Sequence, residues 1–213
     1  MVPGIETLQD PGADRAVAFA RLAPPAPMLP ALQAEVAALL GREWIAHVNQ
    51  RDYRGGWDVL PLRCQRQHAQ AHPVLQGFAI AGGDEWQDLP VLDQCPAIRD
   101  VLAGLHCPLR AARLMRLRPG AEILPHRDRD IELDDGQARL HVPVFTSPDV
   151  SFQVAGLPMA MAAGELWYFN AALEHAVRND GRDDRIHLVV DCLANTWLHA
   201  AIAAGQPVYA PAN

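Results

Sequence analysis

The sequence predicts a mainly β fold, a sandwich or barrel of the jelly-roll kind, supported by α-helices from the N-terminal half. Three observations lead to this prediction. After Pro108 short apolar runs alternate with turn signals, which is typical of a fold made of many short strands. Before Pro108, two segments carry apolar residues at helical spacing. The 213 residues, half of them hydrophobic and a fifth charged, suffice for one sizeable core.

The N-terminal half is predicted to be mostly helical. Residues 1 to about 28 are rich in Pro, Ala and Gly and predict an irregular lead-in. Met28 to Leu40 and Pro96 to Leu105 each have one apolar face at helical spacing, and the second begins with proline. Between them, Tyr53 to Leu62 mixes aromatic, glycine and apolar residues. That segment predicts a strand with a bend at Gly55-Gly56.

The second half supplies the predicted strands. They are Arg113–Arg118, Ala138–Thr146, Val150–Val154, Glu165–Phe169 and Arg185–Leu193. In the second of them, Arg139 and His141 share one face, while Leu140, Val142 and Val144 share the other. Such a strand suits a wall whose outer face packs on helices and whose inner face lines a polar cavity.

The last strand repeats this two-faced pattern. Arg185 and His187 alternate with Ile186 and Leu188, so the two basic side chains are predicted to face the cavity. Between the strands, Asp134-Asp135-Gly136 predicts a turn. We expect a single domain over residues 1–213, in which residues 1–108 give helical support and substrate-side elements and residues 109–195 form the β core.

Charge and composition narrow the class of protein. The formal net charge is −7, and all 18 basic residues are arginine, without a basic run that could follow a phosphate backbone. We therefore expect no nucleic-acid partner. The apolar stretches are shorter than a membrane span and no charged-then-apolar leader opens the chain, so we expect no membrane association and a cytoplasmic location. Four scattered cysteines without a CxxC pair predict buried thiols.

The most informative motif is the pair His126 and Asp128. On an extended backbone, residues two apart point to one face. His175, arriving from a distant strand, would complete a set of two imidazoles and one carboxylate. That set occupies one face of an octahedral ion and is typical of non-haem Fe(II) oxygenases. A His-x-Asp pair alone is a weak signal among nine histidines and 25 acidic residues, so the prediction depends on the combination.

Arg185 adds the fourth part of the pattern. It lies ten residues after His175, and its planar guanidinium suits a carboxylate. The combination predicts an iron enzyme that binds a dicarboxylate co-substrate.

The stretch from Leu114 to Leu193 resembles the aspartyl/asparaginyl β-hydroxylase family, which includes bacterial amino-acid and proline hydroxylases. The matching segments are Arg118-Pro119-Gly120, Pro125-His126-Arg127-Asp128, Arg139-Leu140-His141-Val142-Pro143, Gly164-Glu165-Leu166-Trp167, His175-Ala176-Val177-Arg178-Asn179 and Arg185-Ile186-His187-Leu188. The resemblance implies a double-stranded β-helix of the cupin-like jelly-roll type, with Fe(II), 2-oxoglutarate and O2.

The resemblance also implies roles for particular residues. The implied iron ligands, which are the catalytic residues, are His126, Asp128 and His175. Arg185 would bind the distal carboxylate of 2-oxoglutarate, and Arg139 and His141 would lie near its other end. These roles are expectations carried over from the family.

The function that we expect is hydroxylation of an unactivated C–H bond in an amino acid or a peptidyl amino-acid side chain, with release of succinate and CO2. The partner would be a small amino acid or a peptide, and Arg116, Arg63 and Trp57 are candidates for binding it. Two alternatives stay open. One is a cupin-like isomerase or hydrolase with a different divalent metal, and the other is a non-catalytic metal- or ligand-binding module.

Overall fold

Antiparallel strands form most of the described chain, which a computed structural model covers at residues 15–24, 29–78, 83, 85–128 and 131–212. The strands are β1 (Val17–Leu22), β2 (Ile45–Ala46), β3 (Tyr53–Arg54), β4 (Trp57–Gln65), β5 (Trp86–Asp88), β6 (Leu109–Leu117), β7 (Glu122–His126), β8 (Gln137–Phe145), β9 (Val150–Val154), β10 (Leu157–Pro158), β11 (Leu166–Phe169), β12 (His175–Asn179), β13 (Arg185–Leu193) and β14 (Val208–Tyr209). The α-helices are α1 (Leu29–Leu39), α2 (Pro73–Phe78), α3 (Pro96–Ala103) and α4 (Thr196–Ala204).

The described strands form two sheets. The larger has the order β14-β1-β11-β8-β13-β6-β4-β2, with β5 added on β4, and the smaller has the order β10-β9-β12-β7-β3. One hydrophobic cluster joins residues of both sheets, including Met115 and Val189 of the larger and Ile123 and Phe152 of the smaller. The sheets therefore pack on each other as a jelly roll. The predicted mainly β fold is confirmed.

The outer face of the larger sheet packs against helices. Leu140 of β8 and Leu188 of β13 share a buried cluster with Leu32 of α1, Ile98 of α3 and Leu198 of α4. Burying a leucine side chain stabilises a fold by roughly 1.5–3 kcal/mol, so this layer keeps the sheet in place behind the cavity. The predicted helices agree closely with α1 and α3, although Met28 lies outside the described residues. Helix α4 follows residues 109–195, the range that was predicted to form the β core.

The predicted irregular lead-in is wrong in one part. Val17–Leu22 is strand β1, which pairs with β11 on one side and β14 on the other. Its partners come from distant parts of the chain, so the Pro-, Ala- and Gly-rich local composition gave no indication of the pairing. Residues 1–14 and 25–28 of the predicted lead-in lie outside the described residues. Because β1, β4 and β14 all join the larger sheet, the sheet is not confined to residues 109–195.

The predicted bend at Gly55-Gly56 is a crossing between sheets. β3 before it belongs to the smaller sheet, and β4 after it belongs to the larger. Gly55 has a φ of +82°, and a Cβ there would lie 2.8 Å from the Cβ of Ala121. Only glycine fits this conformation and this approach without strain. The crossing matters for the site, because it places Trp57 at the cavity.

No helix in the described parts of the chain is both long and apolar enough to cross a membrane. The cytoplasmic location and the single-domain assignment stay predictions.

Candidate metal centre

The two histidines of the predicted set lie side by side on neighbouring strands. His126 ends β7, and the register of the smaller sheet pairs it directly with His175, the first residue of β12. Side chains of directly paired residues share a face of the sheet, and the two ring centroids are 4.2 Å apart. The pairing of β7 with β12 thus joins residues that are far apart in sequence.

Asp128 comes to the same point from just beyond the strand. β7 ends at His126, and the backbone N–H of Asp128 donates to the carbonyl of Ala171 at 2.9 Å. Asp128 Oδ1 lies 3.6 Å from His126 Nε2. One ligand atom from each of His126, Asp128 and His175 lies within 4.8 Å of the others. The structure therefore brings the three predicted ligands together, although a loop contact and not an extended strand places the carboxylate.

Backbone carbonyls hold both imidazole rings in one orientation. His126 Nδ1 is 2.8 Å from the Leu124 carbonyl and His175 Nδ1 is 3.0 Å from the Leu173 carbonyl. A carbonyl oxygen only accepts, so each Nδ1 carries the proton and each Nε2 keeps a lone pair for a metal. Burial, and then the nearby His126, lowers the pKa of His175 to about 4. The ring is therefore neutral at neutral pH, as a metal ligand must be.

Arg139 binds carboxylates of the protein itself. Its Nη1 donates to Asp128 Oδ2, and its Nε donates to Asp191 Oδ1 at 2.7 Å. Burial alone would raise the pKa of Asp128, but Arg139, His175 and His126 outweigh it and hold the pKa below its usual value. Through these contacts Arg139 orients the carboxylate of Asp128, so that Oδ1 is directed towards the histidines. The sequence had placed Arg139 near the co-substrate, which stays an untested expectation.

Sequence reasoning missed Asp191, although a signal for it existed. Arg185 and His187 were predicted to face the cavity, and the same alternation continues to Val189 and Asp191 on β13. Asp191 also accepts from Arg113 Nη2 at 2.8 Å. Burial alone would raise the pKa of Asp191, but Arg113 and Arg139 hold it well below its usual value.

Arg185 is the least satisfied buried charge at the cavity. It begins β13, is only 2% exposed, and its Cζ lies 5.7 Å from the ring of Phe152. Its Nε and Nη2 are buried and have no hydrogen-bond partner among the described residues. Burial lowers the pKa of this guanidinium to about 9. A buried charge without a counter-charge is costly, so the position is suited to an anionic ligand.

His141 lies beside a second buried histidine, His187, in the same cavity wall as Arg185. His141 Nδ1 is 3.2 Å from His187 Nδ1, and the Nε2 atoms of both rings lack a partner within the described part of the chain. Burial, and then the charge of Arg185, lowers the pKa of both histidines well below the usual value. Both rings are therefore neutral, and His141 is placed to meet a ligand held by Arg185.

These groups share one cavity of about 270 Å³. It is lined by the three candidate ligands, by Arg139, His141 and Arg185, and by apolar and aromatic side chains. Of the three residues predicted for substrate binding, Trp57 lines the cavity. Arg116 faces the opposite side of β6 and pairs with Asp58, and Arg63 pairs with Asp88. The sequence gave no indication of two further lining residues, His47 and Arg113.

The fold and these groups define a jelly-roll protein with two histidines and one carboxylate at the mouth of a small cavity. The sequence model of the aspartyl/asparaginyl beta-hydroxylase family matches residues 28–195. The chain therefore belongs to this family, as its motifs predicted.

Two curated relatives are similar to this chain in sequence, and a solved structure is similar to it in fold. The chain is 31% identical over 89 residues to an L-proline cis-4-hydroxylase of Rhizobium meliloti, covering 42% of this chain and 31% of that protein. It is 28% identical over 163 residues to L-proline cis-3-hydroxylase 1 of a Streptomyces species, covering 74% and 54%. The chain thus spans about a third to a half of the length of these relatives. HygX from Streptomyces hygroscopicus, solved with nickel and 2-oxoglutarate bound, has the same fold, with a TM-score of 0.51, 13% identity and 84% of each chain covered.

Proposed function

We propose that this protein is an Fe(II)- and 2-oxoglutarate-dependent dioxygenase. It would hydroxylate an unactivated C–H bond of an amino acid or a peptidyl amino-acid side chain and release succinate and CO2. The observation that carries this proposal is the cavity that brings His126, Asp128 and His175 together with the buried Arg185, for which the described residues provide no ion-pair partner. Family membership and the names of the proline hydroxylase relatives support it.

The three proposed ligands suit iron. Two neutral imidazoles and one carboxylate are the donor set that Fe(II) oxygenases use, and they leave positions for co-substrate and O2. When bound, iron with 2-oxoglutarate and O2 supplies the oxidising power for C–H hydroxylation. The protein holds the ligands in place: Leu124 and Leu173 carbonyls orient the rings, and Arg139 holds one oxygen of Asp128.

The inner end of the cavity suits the distal carboxylate of 2-oxoglutarate. Arg185 offers two adjacent donors, Nε and Nη2, for which the described residues provide no acceptor. A charge-assisted contact contributes roughly 1.5–3 kcal/mol. His141, neutral and close to Arg185, would face the co-substrate between Arg185 and the metal. Phe152 and Phe169 line the same space and would exclude water from it.

One experiment separates this proposal from the two alternatives. 2-Oxoglutarate is added without oxygen to the protein loaded with Fe(II), and the visible spectrum is recorded. Chelation of iron by the co-substrate gives a visible charge-transfer band, whereas an isomerase, a hydrolase or a binding module gives none. Oxygen is then admitted with free amino acids, L-proline among them, or with short peptides. Succinate release coupled to a mass gain of one oxygen is expected, and the absence of both band and succinate would refute the proposal.

A further inference from the structure

A second buried guanidinium at the cavity has unmet donors. Arg113 on β6 lines the cavity and is 3% exposed. Its Nη2 donates to Asp191 Oδ2 at 2.8 Å, while its Nε and Nη1 are buried without a partner in the described residues. One nitrogen of three is therefore satisfied. A buried guanidinium with open donors has the chemistry to bind a carboxylate.

Arg113 and Arg185 belong to different parts of the cavity. In the sheet, Arg113 pairs with Val189, whereas Arg185 pairs with Leu117, so the two backbones are about 13 Å apart along the strands. The carboxyl carbons of 2-oxoglutarate are about 5 Å apart. Arg113 shares Asp191 with Arg139, and Arg139 also donates to the proposed ligand Asp128, which places Arg113 on the metal side. The carboxylate that Arg113 could bind is thus distinct from the one proposed for Arg185.

His47 adds a neutral donor beside Arg113. Its backbone N–H donates to the Trp57 carbonyl at 2.8 Å, and its ring stacks on the Trp57 ring with centroids 3.5 Å apart. His47 Nδ1 accepts from the backbone N–H of Asn49 at 3.3 Å, so Nε2 carries the proton. Burial, and then the charge of Arg113, lowers the pKa of His47 to about 3. The ring therefore presents one fixed N–H from an aromatic wall.

The charges of the described residues around the cavity do not balance, and one further anion would balance them. Arg113, Arg139 and Arg185 carry three positive charges, and Asp128 and the adjoining Asp191 carry two negative charges. Fe(II) and 2-oxoglutarate would add two charges of each sign and cancel. Among the described residues, one positive charge is left without a counter-charge, and buried charges of this kind need a partner.

We propose that Arg113 and His47 bind a free carboxylate of the substrate. The substrate class that we infer is a small amino acid with an unblocked α-carboxylate, which an internal residue of a peptide lacks. An internal Asp or Glu would offer only its side-chain carboxylate, and the tripeptide comparison below separates the two cases. A cavity of about 270 Å³, at the small end of the range for ligand sites, is consistent with a substrate of this size. This inference rests on the proposed function above and selects between its two substrate classes.

The first test compares substrates that differ only in the carboxylate. Each standard free amino acid is assayed beside its C-terminal amide and beside a tripeptide with the same residue in the middle. Succinate release is measured against the rate without substrate. At least one free acid should stimulate release by about tenfold or more, and its amide and tripeptide should stay near the background, since the lost contact is a charge-assisted pair.

The second test changes the proposed anchor and a matched arginine. Arg113→Lys keeps the charge but loses the open Nε and Nη1 donors of the guanidinium, so KM for the best free acid should rise about tenfold. KM for 2-oxoglutarate should stay within about twofold, because the two sites are separate. Arg116→Lys is the control: Arg116 is a buried arginine of the same strand that faces away from the cavity. Neither KM should change by more than about twofold in that variant.

A third variant covers the case in which Arg113→Lys does not fold. His47→Phe keeps the aromatic stack on Trp57 but removes the N–H, and should raise KM for the free acid by about threefold or more. An amide or peptide used as well as the free acid, or no stimulation by any free acid, would overturn this inference. So would a rise of KM for 2-oxoglutarate alone in the Arg113 variant. In each case an intact Fe(II)–2-oxoglutarate band would leave the proposed function standing, whereas loss of the band in the parent protein refutes that function itself.

Discussion

Strand β6 carries two buried arginines three residues apart, which differ in how many of their donors have a hydrogen-bond partner. On the outer face, Arg116 donates Nε and Nη2 to Asp58 Oδ2 at 3.2 and 2.9 Å, and its Cζ stacks 4.5 Å from the Trp44 ring. On the inner face, Arg113 has one carboxylate contact and two open donors, and Arg185 nearby on β13 has two open donors among the described residues. Burial is similar, but the inner charges are compensated only in part by the described residues.

This difference distinguishes an arginine that stabilises the fold, such as Arg116, from arginines that are suited to bind a ligand, such as Arg113 and Arg185. A buried ion pair with satisfied donors is close to neutral for stability, whereas an uncompensated buried charge is unfavourable. The buried donors of Arg113 and Arg185 that lack an acceptor among the described residues therefore lower the stability of the free protein, and an anionic ligand would recover that cost.

The largest effect is expected at the metal side of the inner face. His175→Ala removes one of three proposed ligands, and stoichiometric Fe(II) binding should be abolished because two ligands do not hold the ion. Metal content after anaerobic reconstitution and gel filtration is the measurement. His199→Ala, an exposed histidine of α4, is the control and should bind iron like the parent. Retention of both iron and activity in the His175 variant would show that the ligand set is wrong.

The next largest effect is expected for the carboxylates that pair with the buried arginines, which are Asp191 on the inner face and Asp58 on the outer face. Asp191→Asn leaves Arg113 and Arg139 without their shared partner, and removing one member of a buried pair costs about 3–5 kcal/mol. Asp58→Asn removes the carboxylate that Arg116 shares with Arg118 on the outer face, where Arg116 keeps a longer ion pair with Asp184 at 3.8 Å. Both variants should lower the free energy of unfolding measured in urea. Only Asp191→Asn should also weaken Fe(II) binding in a metal titration, because Arg139 orients Asp128. Equal iron affinity in the two variants would show that Asp191 has no influence on the ligand.

A smaller effect is expected for the proposed co-substrate anchor. Arg185→Lys keeps the charge but loses the fork, so the concentration of 2-oxoglutarate for half-saturation should rise by about tenfold or more. Iron binding should be nearly unchanged, because Arg185 is not a ligand. The measurement is a 2-oxoglutarate titration of the iron-loaded protein, with Arg116→Lys beside it. A titration curve like that of the parent would leave Arg185 as a structural arginine.

The sequence predicted the inner face of the sheet better than the contacts on it. Alternation along β8 and β13 is local, so it correctly placed Arg139, His141 and Arg185 away from the apolar face. On β6 sequence reasoning named Arg116 for substrate binding, whereas Arg113 lines the cavity, because which face of β6 meets the cavity depends on sheet packing. β1 was missed for the same reason, since its partners β11 and β14 are remote in sequence. Long-range pairing, and not local pattern, decides these features.

The smallest expected effect is the dependence of stability on pH that Asp191 contributes. The charges of Arg113 and Arg139 hold the pKa of Asp191 well below its usual value, against the effect of burial. A carboxyl whose pKa is lower in the folded than in the unfolded state stabilises the fold above its unfolded pKa of about 3.9, and this stability is lost as the pH falls through the folded value. The parent should therefore lose stability more steeply than Asp191→Asn as the pH falls below about 4.

Urea unfolding at a series of pH values measures this slope, with Asp58→Asn as the control from the outer face. Other carboxyl groups titrate in every variant, so their contribution cancels when the slopes are compared. The difference between parent and Asp191→Asn isolates the inner carboxylate, provided that the two proteins unfold with the same urea dependence. If the free energy of unfolding fell with pH equally steeply in the parent and in Asp191→Asn, the pKa of Asp191 would be similarly low in the unfolded state. The inner arginines would then not be compensated by Asp191 in the way that the contacts indicate, and the contrast between the two faces of β6 would lose its electrostatic basis.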